Sequence, residues 1–312
     1  MKLKKPQFWD KEYLTLPSII LWPISLLYQI VFRVRKSFIK KKSFSKPIIC
    51  VGNIYLGGTG KTPISIKIFN IFKDDMKPVV IKKKYKNQID ENEMLKKYCK
   101  VISDKDRYLS IEKAIDKKFN LLILDDGFQD LTIKKNLNII CFNDRQQIGN
   151  GQILPSGPLR EDISSLKDCH IILINGRKNF QFEQKLKKYN EKLKFFYFNY
   201  IPKNLNEFKN KKLIAFAGIG NPENFFDLLK LNRLNVVKEI SFPDHYSYSE
   251  KDFEKLTDLE KKYNAKLITT EKDFLRISPF NRRRFGVIYL ETKIDDEFNF
   301  VKTLKKILNE NN

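Results

Sequence analysis

Residues 47–63 read PIICVGNIYLGGTGKTP, and this segment gives the strongest prediction of the fold. Its beginning, residues 48–51, is apolar and rich in β-branched side chains, which predicts a buried strand. A glycine-rich turn follows and ends in Lys61 and Thr62, and the ISIKIFNIF run after it predicts a helix. A strand, a glycine-rich turn and a helix in this order are typical of a phosphate-binding loop. The strict pattern has glycine at the position of Tyr55.

The turn supplies the candidate residues for binding a nucleotide. They are Gly57, Gly58, Thr59, Gly60, Lys61 and Thr62. Glycines allow backbone N–H groups to approach phosphates, a lysine at this place reaches the β- and γ-phosphates, and the hydroxyl that follows binds Mg²⁺. The sequence therefore predicts ATP and Mg²⁺ as cofactors.

A second apolar run, LLILDDGFQD at 121–130, ends in Asp125 and Asp126. Carboxylates at the end of a buried strand hold Mg²⁺ in phosphate-loop proteins, directly or through water, so both aspartates are candidate metal ligands. The alternative is a plain turn, because Asp-Gly is a common turn pair.

The order of apolar runs predicts an α/β fold with two domains. Runs at 48–51, 78–81, 121–124, 138–142 and 171–174 alternate with helical stretches, which is the rhythm of a parallel sheet with helices on both faces. A second set of strands is expected at 213–216, 235–241 and 266–270. We therefore expect a phosphate-loop domain at 47–205 and a smaller α/β domain at 206–312. Segments 194–202 and 284–294 are expected to pair as a two-stranded hinge.

The N-terminal segment, residues 1–46, is expected to associate with a membrane and to pack with the first domain. Residues 14–32 are strongly apolar but contain two prolines, and a basic run from Arg33 to Lys42 follows. An apolar stretch with tryptophan, tyrosine and a basic flank is typical of a helix that lies in the bilayer interface. A buried core helix and a membrane-spanning helix are the alternatives.

Composition narrows the classes of function. The 312 residues carry a formal net charge of +23, which favours an anionic partner such as a nucleic acid, an anionic membrane or a phosphorylated substrate. The first 46 residues alone hold eleven Lys and Arg against two acidic residues. The four cysteines have no metal-ligand spacing and are expected to be reduced thiols. With two histidines, His170 and His245, a zinc site is not expected; His170 begins an apolar strand and is expected to be structural.

Several motifs together resemble the tetraacyldisaccharide 4'-kinase family, the lipid A 4'-kinases. The resemblance runs in order from about residue 16 to residue 273 and is carried by VGNIYLGGTGKTP, LDDGFQD, GNGQILPSGPLRED (149–162), AFAGIGNPENFF (215–226), FPDHYSY (242–248) and TTEKD (269–273). Asp130 stands where the family usually has histidine. In the third motif, Arg160 is expected to contact phosphates and Glu161 to support the metal. The alternative for this motif is a tight Pro-Gly turn with a helix-capping charge.

The resemblance also implies a catalytic pair, an aspartate and a histidine. Asp90, in IDENEML at 89–95, matches the aspartate of a Gly-Asp-Glu motif, with Ile89 in place of the glycine. His245 matches the Asp-His motif. A sugar hydroxyl needs a base to take its proton, and a carboxylate beside an imidazole orients that base. The alternatives are a solvated loop charge for Asp90 and a packing residue for His245. With the boundaries above, the two would come from different domains and meet only on closure.

What the resemblance implies is a lipid kinase. Such an enzyme transfers the γ-phosphate of ATP to the 4'-hydroxyl of an acylated glucosamine disaccharide 1-phosphate, at the cytoplasmic face of the bacterial inner membrane. The expected partners are that lipid and an anionic membrane surface, with no nucleic acid and no obligate protein partner. The alternatives are a basic phosphate-loop NTPase acting on nucleic acid and a non-catalytic nucleotide-binding membrane adaptor.

Overall fold

The computed structural model describes residues 5–85 and 89–311, so the first four residues of the predicted N-terminal segment lie outside the described residues. The chain forms two compact units. The larger unit contains residues 5–84, 99–199 and 292–311, and the smaller unit contains residues 200–291 with the described residues of 85–98.

The elements follow one another in an alternating order. The strands are β1 (Ile48–Gly52), β2 (Pro78–Lys83), β3 (Val101–Asp104), β4 (Leu121–Asp125), β5 (Leu137–Asn143), β6 (Ile171–Asn175), β7 (Lys194–Pro202), β8 (Lys212–Ala217), β9 (Asn235–Ser241), β10 (Lys266–Thr270), β11 (Gly286–Ile288) and β12 (Leu290–Ile294). The helices are α1 (Leu16–Phe38), α2 (Lys61–Phe72), α3 (Ile89–Tyr98), α4 (Arg107–Asp116), α5 (Phe180–Lys187), α6 (Pro222–Leu231), α7 (Glu250–Tyr263), α8 (Glu271–Arg276), α9 (Pro279–Arg282) and α10 (Glu297–Glu310).

An eight-stranded sheet in the order β12-β7-β6-β5-β1-β4-β2-β3 forms the core of the larger unit. Strand β1 lies between β4 and β5 and is parallel to both, and it is completely buried. Parallel strands end at the same edge of a sheet, so the loop after β1 and the aspartates that end β4 meet there. The predicted parallel α/β fold is confirmed.

The smaller unit is built on a four-stranded sheet in the order β11-β10-β8-β9, with all three neighbouring pairs parallel. Strand β8 is apolar and buried after its first residue because both of its faces are covered, one by the cluster around Phe226 and the other by the cluster around Phe253. The predicted second set of strands is present at β8, β9 and β10.

The large sheet contains the predicted hinge segment 194–202 and the end of the segment 284–294. Strand β12 is the neighbour of β7, as the expected pairing of 194–202 with 284–294 requires, but β7 also pairs in parallel with β6. The first part of 284–294 forms β11 instead and pairs with β10. The chain passes between the units within β7 and β12; a hinge role for these strands stays a prediction.

Helix α3 belongs to the smaller unit, although its sequence lies inside the predicted first domain. It is held against α8 by polar contacts. Lys97 and Tyr98 reach Glu271 at 2.5 and 2.7 Å, and Lys272 reaches Glu91 at 2.8 Å. These contacts join residues about 170 to 180 positions apart in the chain, which the order of strands and helices does not reveal.

Candidate active site

The loop between β1 and α2 has the backbone of a phosphate-binding turn. Gly57 and Gly60 have φ angles of +147° and +89°, which L-residues with a side chain rarely adopt. Gly58 has open space where a side chain would begin. Helix α2 starts at Lys61 with no side-chain cap, so the N–H groups of its first turn and its positive dipole end are directed at the loop.

Two buried side chains brace this loop. The Asn53 amide donates to the carbonyl of Tyr55 at 2.5 Å and to the hydroxyl of Thr59 at 3.0 Å. Tyr55, which stands at the strict glycine position, is fully buried and bonds Asp10 and Lys5 through its hydroxyl. Burial and the hydrogen bond to Asp10 raise the pKa of Tyr55. The departure from the strict pattern is therefore accommodated by packing against the N-terminal segment.

The carboxylate of Asp125 at the end of β4 is buried among hydrogen-bond donors. Lys82 donates to Oδ2 at 2.7 Å, Thr62 donates to the same oxygen at 3.3 Å, and Ser65 donates to Oδ1 at 2.9 Å. Lys82 is placed there by β2, whose register sets it beside Asp125. The strand end thus brings the predicted Thr62 and Asp125 together, and it adds a buried lysine that no sequence motif indicated.

Asp126 is surrounded by cations. Its backbone has a φ of +55°, which is unusual for a residue with a side chain, and Arg160 Nη1 lies 3.0 and 3.1 Å from its two carboxylate oxygens. Lys61 Nζ lies 3.7 Å away. Burial opposes ionisation, but the charges of Lys61 and Arg160 outweigh it and lower the pKa of Asp126. The two aspartates therefore differ, which the sequence alone did not separate.

Arg107 was not indicated by the sequence, and it links Asp126 to Asp130. Its guanidinium donates to the Asp126 carbonyl at 2.5 Å and lies 3.4 Å from the carboxylate of Asp130. Burial opposes ionisation of Asp130, but the Thr132 hydrogen bond and the nearby charges of Arg107 and Lys135 lower its pKa. Asp130 thus gives this arginine an acidic partner.

Glu161 reaches this cluster only through another side chain. It is buried and accepts a hydrogen bond from Gln129 Nε2 at 2.7 Å, while the other end of Gln129 lies 3.4 Å from Arg160. Burial raises the pKa of Glu161. Its predicted support of a metal ion stays a prediction.

The fit of a magnesium ion rests on Thr62 and Asp125. A hydroxyl and a carboxylate 3.3 Å apart offer the oxygen ligands that Mg²⁺ prefers, and this ion usually keeps several waters and binds few protein groups. In the described part of the chain no group of three or more His, Cys, Asp or Glu side chains is arranged to hold a metal. The residues present suit Mg²⁺ bound mainly by water and phosphate oxygens.

The smaller unit holds the predicted pair Asp90 and His245 in contact. His245 Nδ1 lies 3.2 Å from Asp90 Oδ1, and Arg276 donates to the other carboxylate oxygen at 2.6 Å. Both residues of the pair belong to one compact unit. The expectation that they meet only on domain closure was wrong, because α3 packs against α8 in the smaller unit.

The surroundings of Asp90 keep it charged. The side chain is 2% exposed, and burial alone would raise its pKa. The hydrogen bond with His245 and the charges of Lys272 and Arg276 outweigh burial and hold the pKa of Asp90 well below its usual range. A carboxylate with a lowered pKa is a weak base, and such a group can orient a neighbouring imidazole and stabilise its protonated form.

His245 is fixed by its backbone as well as its side chain. Its φ is +55°, and its N–H donates to the Gly218 carbonyl at 3.1 Å and to Asp244 at 3.0 Å. Arg276 also donates to that Gly218 carbonyl, at 2.5 Å, and to Asp273 at 2.9 Å. Unusual backbone conformations held by surrounding contacts are concentrated at functional sites. The TTEKD and FPDHYSY motifs therefore form one hydrogen-bonded cluster with Asp90.

Helix α1 presents an apolar surface. Ser18 and Ser25 are its buried residues, and they contact the segment that contains Asn150 and Ser156 at 2.7 to 3.0 Å. The outer face is exposed, for example Ile20 at 66% and Leu27 at 63%. The helix is long and apolar enough to cross a membrane by length and composition, criteria that core helices and signal sequences also meet.

A family profile and several known proteins match the chain over most of its length. The profile of the tetraacyldisaccharide-1-P 4'-kinase family covers residues 17–309. The tetraacyldisaccharide 4'-kinase of Pelagibacter ubique is 42% identical over 100% of both chains. That of Rickettsia typhi is 34% identical over 91% of this chain and 92% of the relative.

A solved structure has the same fold. It is the crystal structure of LpxK from Aquifex aeolicus in complex with ATP, which superposes with a TM-score of 0.70 and covers 93% of this chain and 99% of its own, at 24% identity. The chain is a member of the tetraacyldisaccharide-1-P 4'-kinase family.

Proposed function

We propose that this protein is an ATP-dependent lipid kinase that phosphorylates the 4'-hydroxyl of an acylated glucosamine disaccharide 1-phosphate. The observation that carries the proposal is the phosphate loop, whose Lys61 and Thr62 lie beside Asp126 and Asp125 at the end of β4. The names of the relatives supply the acceptor, and the Aquifex structure supplies ATP as the nucleotide of a related fold.

The cations around Asp126 suit a triphosphate. Lys61 and Arg160 bring positive charge to the start of α2. The N–H groups of the first turn of that helix are directed at the same loop. Charge on the transferring phosphoryl group is spread over its outer oxygens in the transition state, so fixed cations and N–H donors stabilise it. Mg²⁺, when bound, neutralises charge on the β- and γ-phosphates, and Thr62 and Asp125 are the residues that would hold it.

The acceptor hydroxyl requires a base, and we assign that role to His245. With Nδ1–H donating to Asp90, the proton of the hydroxyl goes to Nε2 of the imidazole. The hydroxyl oxygen forms a bond to the γ-phosphorus as the bond from that phosphorus to the β–γ bridging oxygen breaks, and ADP leaves. Asp90, Lys61 and His245 are thus the proposed catalytic residues.

The exposed face of α1 suits an enzyme whose acceptor is a membrane lipid. Apolar side chains would enter the boundary between headgroups and acyl chains, and Arg33, Arg35 and Lys36 at its end would meet anionic headgroups. We propose that the helix lies in the cytoplasmic surface of the bacterial inner membrane. No nucleic acid and no obligate protein partner enters this proposal.

Two other functions are less well supported. A phosphate-loop NTPase acting on nucleic acid has no use for an apolar helix face such as that of α1. A nucleotide-binding adaptor has no use for the hydrogen-bonded Asp90–His245 pair. The family relatives carry the name of a kinase for a lipid disaccharide, and this favours neither alternative.

The test is transfer of labelled phosphate from [γ-³²P]ATP to a tetraacylated disaccharide 1-phosphate in mixed micelles with MgCl₂. We expect a labelled lipid with the intact protein and none with the Lys61→Ala variant. ATP hydrolysis that responds to DNA or RNA, with no lipid labelled, would contradict the proposal. Nucleotide binding without hydrolysis or transfer would favour the adaptor.

A further inference from the structure

The larger unit contains a basic cavity of about 840 Å³ whose lysines have no role in the proposed kinase reaction. It is lined at the amino ends of three neighbouring strands by Asn138 of β5, His170 before β6 and Lys194 of β7. The phosphate loop and Asp125 lie at the carboxyl ends of β1 and β4 in the same parallel sheet. These three residues therefore lie at the opposite edge of the sheet from the nucleotide-binding loop. The lining also includes Glu161, which is linked through Gln129 to the residue after β1.

The charge of the cavity suits an anion. Nine lysines line it against three acidic residues. Two of those acids are already near lysines, since Asp168 lies 3.6 Å from Lys36 and Glu310 lies 3.7 Å from Lys306. The third, Glu161, accepts a hydrogen bond from Gln129.

Several of the lining lysines have no acid to neutralise them. Among the residues that the structure describes, no acidic group lies within 4 Å of the ammonium groups of Lys192, Lys194 or Lys302. Ammonium groups that line one cavity repel one another, and a bound anion would relieve this repulsion.

Buried polar atoms in the wall also lack partners. The hydroxyl of Ser165 and the Oδ1 of Asn138 are buried without a hydrogen bond, in side chains that are 7% and 8% exposed. The amide nitrogen of Asn138 is already used, because it donates to the Asp168 carbonyl at 2.7 Å. An unsatisfied buried polar atom is unfavourable, so a ligand that hydrogen-bonds to these atoms is favoured. This pair offers one donor and one acceptor.

His170 offers a second uncharged donor. Its Nδ1 accepts a hydrogen bond from the backbone N–H of Asn138 at 3.1 Å, which leaves the proton of the neutral ring on Nε2. Burial lowers the pKa of His170, so the ring remains neutral at physiological pH. Together with the lysines, the wall can donate to phosphate oxygens and can accept from a neighbouring hydroxyl.

The position of the cavity points to the source of that phosphate. Lys36, in the last turn of α1, lines the cavity, and Lys41 follows close behind. The first half of the same helix, at Ser18 and Ser25, docks on the segment 150–156. A helix of 23 residues is about 35 Å long. The helix therefore extends from that segment, at Ser18 and Ser25, to the wall of the cavity at Lys36.

We propose that this cavity binds the phosphate and hydroxyl groups of an anionic glycerophospholipid headgroup, as a second membrane contact of the protein. Phosphatidylglycerol has the required chemistry, with phosphate oxygens for the lysines, Ser165 and His170, and a glycerol hydroxyl for Asn138. The proposal rests on the membrane association of α1 proposed above, and it adds a specific headgroup site to a nonspecific apolar contact.

The first experiment titrates the full-length protein with dihexanoyl phosphatidylglycerol, which is soluble as monomers, by isothermal calorimetry. We compare the intact protein with a variant carrying Lys192→Gln, Lys194→Gln and Lys302→Gln. The matched control carries Lys73→Gln, Lys105→Gln and Lys117→Gln, which are exposed lysines of the same unit outside the cavity. We expect the cavity variant to bind about 10-fold or more weakly and the control to bind nearly as the intact protein does.

A variant without a change of charge tests the cavity geometry. Ser165→Ala removes the buried hydroxyl and keeps every lysine, and we expect it to weaken lipid binding several-fold. Two results would overturn the proposal. One is an equal loss of lipid affinity in the cavity variant and the control variant. The other is full lipid binding by both the Ser165→Ala variant and the cavity variant. Inorganic phosphate that binds as tightly as the lipid would make this a site for free phosphate and would also overturn it.

Flotation with vesicles separates this proposal from that of membrane association. The cavity variant should retain binding to neutral phosphatidylcholine vesicles, which depends on α1, and lose the preference for vesicles containing phosphatidylglycerol. If the intact protein binds neither vesicle, membrane association by α1 is wrong, and the calorimetric titration still decides the headgroup site.

Discussion

The contact between His245 and Asp90 predicts how their variants behave together. His245→Ala removes the proposed base, which typically lowers turnover by about 10²–10⁴-fold. Asp90→Asn retains an oxygen that can accept from Nδ1 at the observed 3.2 Å but loses the charge that stabilises the imidazolium. Because the two residues act as a unit, the double variant should be little slower than the slower single variant.

The structure also gives the effect of these variants on stability. Asp90 is 2% exposed, and its carboxylate interacts with the charges of Arg276 and Lys272. Breaking a buried ion pair costs about 3–5 kcal/mol of folding stability. Arg276 keeps Asp273 at 2.9 Å as a partner, so we expect the lower end of that range for Asp90→Asn. His245 is 22% exposed in its side chain and should cost less.

The ionised Asp90 carboxylate should also make the folding stability depend on pH in acid. A carboxyl whose pKa is lowered in the folded state contributes stability above its unfolded pKa, about 3.9 for aspartate. That contribution is lost as the pH falls through the folded pKa. The intact protein should therefore lose stability below about pH 4 more steeply than Asp90→Asn, as thermal unfolding across pH 2–7 would show.

The assay for the pair is steady-state transfer from ATP to the lipid acceptor, at a temperature where each variant is folded by circular dichroism. We expect kcat to fall while the KM for ATP changes little, because the base acts on the acceptor hydroxyl. Glu91→Gln is the matched control, since it removes a neighbouring charge that pairs with Lys272 and leaves the Asp90–His245 contact in place. Losses that multiply in full would refute joint action. A silent Asp90→Asn beside an inactive Glu91→Gln would show that the motif is misaligned by one residue.

Three further perturbations test the other parts of the structure. Lys61→Ala should reduce phosphate transfer by about 10³-fold or more without unfolding the protein, because it removes charge beside Asp126; near-normal turnover would remove the phosphate-loop assignment. Ile20→Asp with Leu27→Asp should weaken binding to neutral vesicles by about 10-fold or more, since both side chains are exposed on α1. Protein that resists both salt and alkaline washing of membranes would instead contain a spanning helix. Burial raises the pKa of Cys50 to about 11 and that of Cys141 to about 12, so neither should react with a thiol reagent at pH 8 until urea unfolds the chain. Fast labelling of the native protein would contradict the described core.

Local patterns explain why much of the fold could be predicted. Strand β1, the glycine-rich turn and the start of α2 lie within about 20 consecutive residues, and their apolar run and glycines have direct local causes. The same holds for β4 and its two aspartates. Strand β3 was missed, because its four residues are half-buried at the edge of the sheet and lack an apolar run.

Features with distant partners could not be predicted in this way. Lys82 looked like one of three consecutive lysines, and only its register beside β4 makes it the buried partner of Asp125. Arg107 lies at the start of α4, where nothing in the sequence marks it as the guanidinium that bonds the Asp126 carbonyl. The partner of Lys82 depends on which strand lies beside β2, and the partner of Arg107 depends on where α4 packs. Both are properties of the tertiary structure.

The phosphate loop and the parallel α/β fold could be predicted from sequence, because a glycine turn and a buried strand each depend on adjacent residues, and the family resemblance supplied Asp90 and His245. The packing of α3 in the smaller unit required the three-dimensional structure, and it brings Asp90 to His245 across 155 positions and to Arg276 across 186. It also decided that the lysines of α1, β7 and α10 line one cavity. Such contacts arise from the burial of whole elements against one another, which no short stretch of sequence encodes.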